Sequence, residues 1–79
     1  IAVYPNPAVE RAIVYFKGHS AHVEKQIALF KLNGQQVETF DNIRGDKFVI
    51  DGGHLENGIY LYQVRSGSGI IGTGKLSIN

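Results

Sequence analysis

A run of glycines near the end of the chain has the spacing of two phosphate-binding patterns. Gly67, Gly69 and Gly72 spell G-x-G-x-x-G, while Gly69, Gly74 and Lys75 spell G-x-x-x-x-G-K. In a nucleotide-binding loop such glycines follow a strand and open a helix, whose free N–H groups hold the phosphate. Only four residues follow the lysine, so no helix can form there. The segment is therefore predicted to be a hairpin turn and a strand, with no nucleotide or other cofactor bound.

Histidine and glutamate side chains supply a second candidate site. His19, His22 and Glu24 lie close together in the sequence, and imidazole and carboxylate groups are zinc ligands. Glycine and serine flank His19, which indicates a loop, and the third histidine, His54, lies in a different connection. No helix presents the pair on one face. We therefore expect solvated loop histidines and no metal site.

The residue types needed for catalysis are present but dispersed. Seven acidic residues fall on separate connections and strand faces, and the chain has no cysteine. A nucleophilic triad or a carboxylate pair needs fixed geometry in a cleft, and nothing in this pattern points to one. We expect the protein not to be an enzyme and not to take a small-molecule substrate.

Composition restricts the classes of partner. The chain has 79 residues and a net charge of +1, and its eight lysines and arginines are scattered singly. It therefore lacks the basic stripe of a nucleic-acid-binding protein. The longest apolar runs, 12–16 and 59–62, are far shorter than the ~20 residues of a membrane helix. A chain of 79 residues is expected to form one small domain, residues 1–79. Because methionine is also absent, we expect this domain to be part of a longer precursor.

The elements that would position these residues are predicted to be strands. Helical periodicity is not sustained, whereas short β-branched and aromatic runs alternate with Gly, Asn and Asp at the spacing of an all-β fold. We predict seven strands, with the third broken near Lys25, at 1–4, 11–17, 23–32, 35–40, 47–51, 58–65 and 70–78.

Two short segments predict changes of chain direction. Asn33 and Gly34 tolerate the positive φ of a type I′ turn, so the strands on either side should pair antiparallel. At Pro5, Asn6 and Pro7, the two prolines remove backbone donors and keep the preceding residues extended. The first strand should therefore end there, at a corner.

Side-chain alternation predicts which residues share a strand face. In strand 58–65, Tyr60, Tyr62 and Val64 form a large apolar face, while the opposite face is mixed. In the last strand the predicted members of one face are Ile70, Gly72, Gly74, Leu76 and Ile78.

A tyrosine near the start of the sixth strand indicates how the strands are arranged. Leu55, Gly58 and Tyr60 have the order found in a tyrosine corner, in which the phenol hydroxyl donates to the preceding backbone. Such a corner before the penultimate of seven strands favours a two-sheet antiparallel Ig-like β-sandwich of Greek-key type over a closed barrel.

Four segments, in order along the whole chain, resemble the C-terminal sorting domain of the type IX secretion system, type A. Each motif is weak alone, but their order and spacing are specific, although Lys31 stands where the family often has Asp or Asn. The segments are VYPNPA, with Pro5, Asn6 and Pro7; IALFKLNGQQV, with Gly34; IDGGHLENGIYLYQV, with Gly58 and Tyr60; and GTGKLSI, with Lys75.

The resemblance implies a folded address at the end of an exported precursor. Secretion machinery in the outer membrane would recognise the domain, and a sortase-like peptidase would remove it. The cargo, often joined to lipopolysaccharide, would pass from the periplasm to the cell surface. The motif residues would then have recognition or structural roles.

Two other functions remain open on the residues alone. One is an Ig-like or fibronectin-like adhesion module that binds protein or carbohydrate, with an aromatic platform made from Tyr4, Tyr15, Tyr60 and Tyr62. The platform is the weaker interpretation, because tyrosines on strands more often pack in a core or an interface. The other function is a structural spacer within a surface enzyme.

Overall fold

The structure is a computed structural model, and it describes residues 1–5, 10–18, 22–67 and 69–79. Seven strands and one 3₁₀ turn, η1, account for its regular structure. In chain order the elements are β1 (Ala2–Tyr4), β2 (Arg11–Tyr15), β3 (Lys25–Lys31), β4 (Gln36–Ile43), β5 (Lys47–Asp51), η1 (Gly52–His54), β6 (Gly58–Ser66) and β7 (Gly69–Ile78).

The strands form two antiparallel sheets. One has the order β1-β2-β5 and the other the order β4-β3-β6-β7. The inner faces of both sheets contribute to one hydrophobic core, so the arrangement is sandwich-like. The predicted all-β class, with two antiparallel sheets and seven strands, is confirmed.

The core contains the apolar residues that alternate along the strands. Fully burying one such side chain contributes about 1.5–3 kcal/mol. The first sheet supplies Val3, Ala12, Val14 and Ile50; the second supplies Ile27, Leu29, Ile43, Tyr60, Tyr62, Val64, Leu76 and Ile78; Phe16, which follows β2, completes the cluster.

The β3–β4 hairpin forms, but its turn differs from the predicted type. Gly34 has φ +92°, and Asn42 is the only non-glycine with positive φ among the described residues, so Asn33 does not take the type I′ conformation. The Lys31 amide donates to the Gln35 carbonyl at 2.8 Å, and the Gly34 amide donates to the Lys31 carbonyl at 2.9 Å. The loop therefore has three residues, with only its last in the left-handed region.

Strand β4 runs past its predicted end at residue 40. Asp41 and Asn42 resemble turn residues, yet Asn42 takes φ 58° inside the strand and Ile43 still pairs with Lys25. The pairing register shifts between Lys25 and Ile27. A bulge thus accommodates the extra residue and places Ile43, 4% exposed, in the core.

The predicted face of β7 is wrong at its start. Val64 pairs with Gly72 and Arg65 with Ile70, so Ile71 is an extra residue at a register shift. Because one inserted residue reverses the alternation, Ile71 packs against the core and Ile70 is 51% exposed. The predicted alternation holds from Gly72 onward.

Candidate functional site

The glycine-rich segment forms a hairpin between β6 and β7. Gly67 has φ +61° and lies in the turn. Ser66 and Gly69 form the strand pair nearest to this turn. The pairing continues along β7 until Gly58 meets Ile78. No helix follows the glycines within the described part of the chain. The hairpin interpretation is confirmed, and the geometry of a phosphate-binding loop is missing from the described residues.

We predict that this hairpin binds no nucleotide, since one side of β7 is paired with β6 and no helix terminus reinforces its amides. Titration with ATP should leave the backbone amide chemical shifts of residues 67–75 unchanged. A control titration with sodium chloride at matched ionic strength separates salt effects from binding. Saturable shifts at sub-millimolar ATP would contradict the hairpin interpretation.

Two glycines of β7 lie under side chains from other parts of the chain. A Cβ atom at Gly72 would lie 2.6 Å from Cδ1 of Ile1, and one at Gly74 would lie 2.5 Å from the hydroxyl oxygen of Tyr62. Neither glycine has a positive φ. Glycine is therefore needed at both positions because there is no room for a side chain, and not because of the backbone conformation. Sequence reasoning placed both glycines on the same strand face as Leu76 and Ile78 but did not identify the side chains that cover them.

The tyrosine corner predicted at the start of β6 is confirmed. The Tyr60 hydroxyl donates to the Glu56 carbonyl at 2.6 Å, and the side chain is 4% exposed. Gly58, with φ +152°, begins the strand between them. The hydrogen bond fixes the loop that leads into β6, because it satisfies a buried hydroxyl and a loop carbonyl together.

The 3₁₀ turn before this corner is also held by local hydrogen bonds. The Asp51 carboxylate accepts from the Gly53 amide at 2.9 Å, and the Leu55 amide donates to the Gly52 carbonyl at 3.1 Å. The Gly52 amide donates to the Glu10 carbonyl at 2.8 Å. This last bond joins the turn to the segment that leads into β2.

The candidate cluster of histidines and a glutamate considered in the sequence analysis lies only partly within the described residues. His22 is exposed in a turn, and its carbonyl accepts from Nη1 of Arg44 at 2.8 Å. His19 lies outside the described residues. Within the described ranges, no group of three or more His, Asp or Glu side chains has a spacing that could hold a metal ion.

Lys25 is buried, at 1% exposure, and sequence reasoning did not single it out. Its ammonium group donates to the carbonyls of Val23 at 3.0 Å and Gly45 at 3.5 Å, and it lies 5.0 Å from the centre of the Phe16 ring. The alternation with Ile27 and Leu29 was the available signal. The cation therefore holds two loops together at one end of the sandwich, by hydrogen bonds and a cation–π contact.

The four tyrosines do not form one platform. Tyr60 and Tyr62 are buried in the core. Tyr4 and Tyr15 are 62% and 36% exposed, with ring centroids 6.3 Å apart and planes tilted by 56°. The outer face of the three-stranded sheet therefore carries an exposed aromatic pair, and the four-residue platform is wrong.

The motif residues do not converge on one cleft. Pro5 directly follows β1, so the first strand ends where it was predicted to end, and the peptide bond between Tyr4 and Pro5 is cis. Asn6 and Pro7 lie outside the described residues. Gly34 lies in the β3–β4 turn, and Lys75 is exposed on β7. Among the described residues these positions fix turns and edges, and they assemble no reactive set.

A family model identifies the class of domain that has this arrangement of strands. The family model described as secretion system C-terminal sorting domain matches residues 2–79. The chain belongs to this family. The matched range, residues 2–79, includes all seven strands of the sorting domain. No curated protein and no solved structure matches the chain.

Family membership gives the sorting domain a general function. It indicates a C-terminal signal for type IX secretion, which follows a cargo domain and directs export to the outer membrane, the cell surface or the medium. Domains of this family are generally non-catalytic. None of the helices among the described residues is long and apolar enough to cross a membrane.

Proposed function

We propose that residues 1–79 are one sorting domain that the outer-membrane type IX machinery recognises on a cargo precursor in the periplasm. The cargo reaches the cell surface, and a sortase-like peptidase then removes the domain. The observation that carries the proposal is the family match over residues 2–79. The domain itself needs no cofactor and performs no catalysis in this scheme.

The proposed recognition depends on backbone and shape. The described motif residues serve the fold: Gly34 turns a hairpin, and Gly58 and Tyr60 form the corner. We therefore assign recognition to exposed features, namely the corner at Pro5, Lys75 and the edge of the last strand. Asn6 and Pro7 belong to the same proposed corner motif.

We also propose that the sandwich is Ig-like and of Greek-key type. Each sheet contains one pair of neighbouring strands that are not consecutive in the chain, β2–β5 and β3–β6. The chain therefore crosses between the sheets after β2, after β4 and again after β5. The Tyr60 corner precedes the penultimate strand, as it does in Ig-like sandwiches. These features support the proposed topology.

A second candidate function is an adhesion or carbohydrate-binding module. The exposed pair of Tyr4 and Tyr15 favours it, because aromatic rings offer an apolar surface for sugar rings or protein side chains. Its prediction differs from that of the sorting domain, since an adhesion module would stay attached to the mature protein.

Export of a reporter tests the proposed function. Residues 1–79, with a short linker, are fused behind a signal peptide and a neutral reporter in a bacterium with compatible type IX machinery. The reporter should reach the cell surface and lose the domain, as measured by surface labelling and mass. Replacement of His19 and His22 by alanine should leave export unchanged.

A family domain from a known cargo serves as the positive control in the same strain. If that control is exported while the reporter stays in the periplasm with residues 1–79 attached, the sorting function is contradicted. That result favours the adhesion module.

A further inference from the structure

Strand β7 lies at an edge of the four-stranded sheet and is the longest strand of the described chain, with ten residues. One side pairs with β6 over its whole length. On its other side, no strand of the described residues is paired with it. An open edge of this kind presents a row of backbone N–H and C=O groups that another strand can satisfy.

The other three sheet edges carry features that hinder strand addition. β1 has only three residues and ends before Pro5. β5 has five residues, with exposed charges at both ends on Lys47 and Asp51. β4 is interrupted by two register shifts and by the positive φ of Asn42. Short strands, charged ends and bulges are the usual protections of edges.

β7 has less of this protection than the other edges: one register shift near its start and one charged residue, Lys75. Its single register shift lies near its start, opposite Val64 and Arg65, and the pairing from Gly72 to Ile78 is regular. Lys75 is the only charged residue in the strand. An added strand could therefore align with seven consecutive residues of β7, numbers 72–78.

The side chains of β7 specify which kind of strand would fit. Leu76 and Ile78 face the core and are buried, whereas Thr73 and Lys75 are exposed on the opposite face. An added strand continues this alternation. Its residues beside Leu76 and Ile78 should be apolar, and those beside Thr73 and Lys75 should be polar.

Charge selects between an acidic partner and a second copy of this chain. Residues 57–79 contain Arg65 and Lys75, both exposed, and no Asp or Glu. A second copy of β7 would bring more positive charge to the edge, whereas an Asp or Glu beside Lys75 forms a favourable cross-strand pair. An acidic segment is therefore the complementary occupant.

We propose that the open edge of β7 binds an extended segment of a partner protein as an added strand, with apolar residues alternating with an acidic residue beside Lys75. The inference rests on the proposed function, because this contact would be how the secretion machinery holds the domain. Backbone hydrogen bonds supply affinity in such strand addition, and the alternating side chains supply specificity.

A synthetic peptide of the length of β7, in which valine alternates with glutamate and both ends are capped, is the probe. Titration into the isotope-labelled 79-residue chain should shift the amides of residues 72–78 saturably and leave those of β4 unchanged. Lys75→Glu should weaken binding about fivefold, and a valine–lysine peptide should restore it. Lys47→Glu, the same charge change at the β5 edge, should have no effect.

Two further peptides test the backbone hydrogen bonds. One is N-methylated at odd positions and the other at even positions, so that only one of them blocks the N–H groups that face β7. Only one should lose binding. Equal binding by both, shifts at β4 or at Tyr4 and Tyr15, or no shifts would each overturn the proposal. Dimerisation of the chain through β7 without peptide would overturn it in favour of self-pairing.

The export assay separates this inference from the proposed function. If the wild-type domain is exported and Lys75→Glu is exported equally well, the acidic-strand contact is wrong while the sorting function stands. If the wild-type domain fails in a strain that exports a known cargo domain, the sorting function itself is wrong. Reduced export for Lys75→Glu, with Lys47→Glu unaffected, would support both.

Discussion

Replacing Tyr60 by alanine should lower the free energy of unfolding by about 3–5 kcal/mol, because it removes a large buried side chain and leaves a cavity. Tyr60 is 4% exposed and belongs to the core shared by both sheets. Its hydroxyl also holds the Glu56 carbonyl at 2.6 Å. For a domain this small, a loss of that size is comparable with its whole stability.

Urea unfolding followed by circular dichroism measures the effect. Tyr60→Phe keeps the ring and should cost ~1 kcal/mol for the lost hydrogen bond. Tyr15→Ala is the matched surface control, since Tyr15 is 36% exposed and should cost much less. If Tyr60→Ala leaves the unfolding midpoint unchanged, the ring does not fill the core as described.

Replacing Gly74 by alanine should destabilise the domain by about 1–3 kcal/mol through overpacking. A Cβ atom there would lie 2.5 Å from the Tyr62 hydroxyl oxygen and 2.6 Å from Cζ of the same ring. Tyr62 is 9% exposed and is packed in the core. The ring or the β7 backbone must therefore move.

Gly69→Ala is the matched control in the same strand. A Cβ at Gly69 meets nothing within 4 Å, so alanine should leave the free energy of unfolding nearly unchanged. Thermal unfolding of the two variants compares them directly. A double-mutant cycle with Tyr62→Ala should reduce the cost at position 74. Equal costs at positions 69 and 74 would contradict the close contact with Tyr62.

Local chemistry was sufficient to predict the turns and most faces of the sheets. The Asn33–Gly34 pair predicted a hairpin, and Leu55, Gly58 and Tyr60 predicted the corner, because each signal depends on a few neighbouring residues. The type of the hairpin turn was wrong, since the loop takes three residues and only Gly34 has a positive φ.

Bulges account for the wrong assignments in β4 and β7. Alternation predicts a face only while pairing is regular, and one inserted residue reverses it. Ile71 in β7 and Asn42 in β4 are such residues. Their positions depend on how the partner strand is aligned, which is tertiary information absent from a local pattern.

The binding surface proposed at the edge of β7 was harder to predict than the fold. The open edge of β7 is a property of strand order, and strand order depends on which distant segments pair. The burial of Lys25 has a similar cause, because its carbonyl partner at Gly45 is brought to it by the β3–β4 pairing. The sequence shows that position 25 is a lysine, but it does not show that the ammonium group is buried against loop carbonyls.

Each sheet contains one pair of strands that are distant in the sequence, and this has a kinetic consequence. Arg11 pairs with Asp51 and Lys25 with Ser66, separations of 40 (51 − 11) and 41 (66 − 25) residues. Contacts between distant residues must close long loops before they gain stability, and they slow folding. The β3–β4 hairpin can form early, but neither sheet is complete until β5 has paired with β2 and β6 with β3. Until then their edges stay open, and this interval is the time at which the chain is most prone to aggregate.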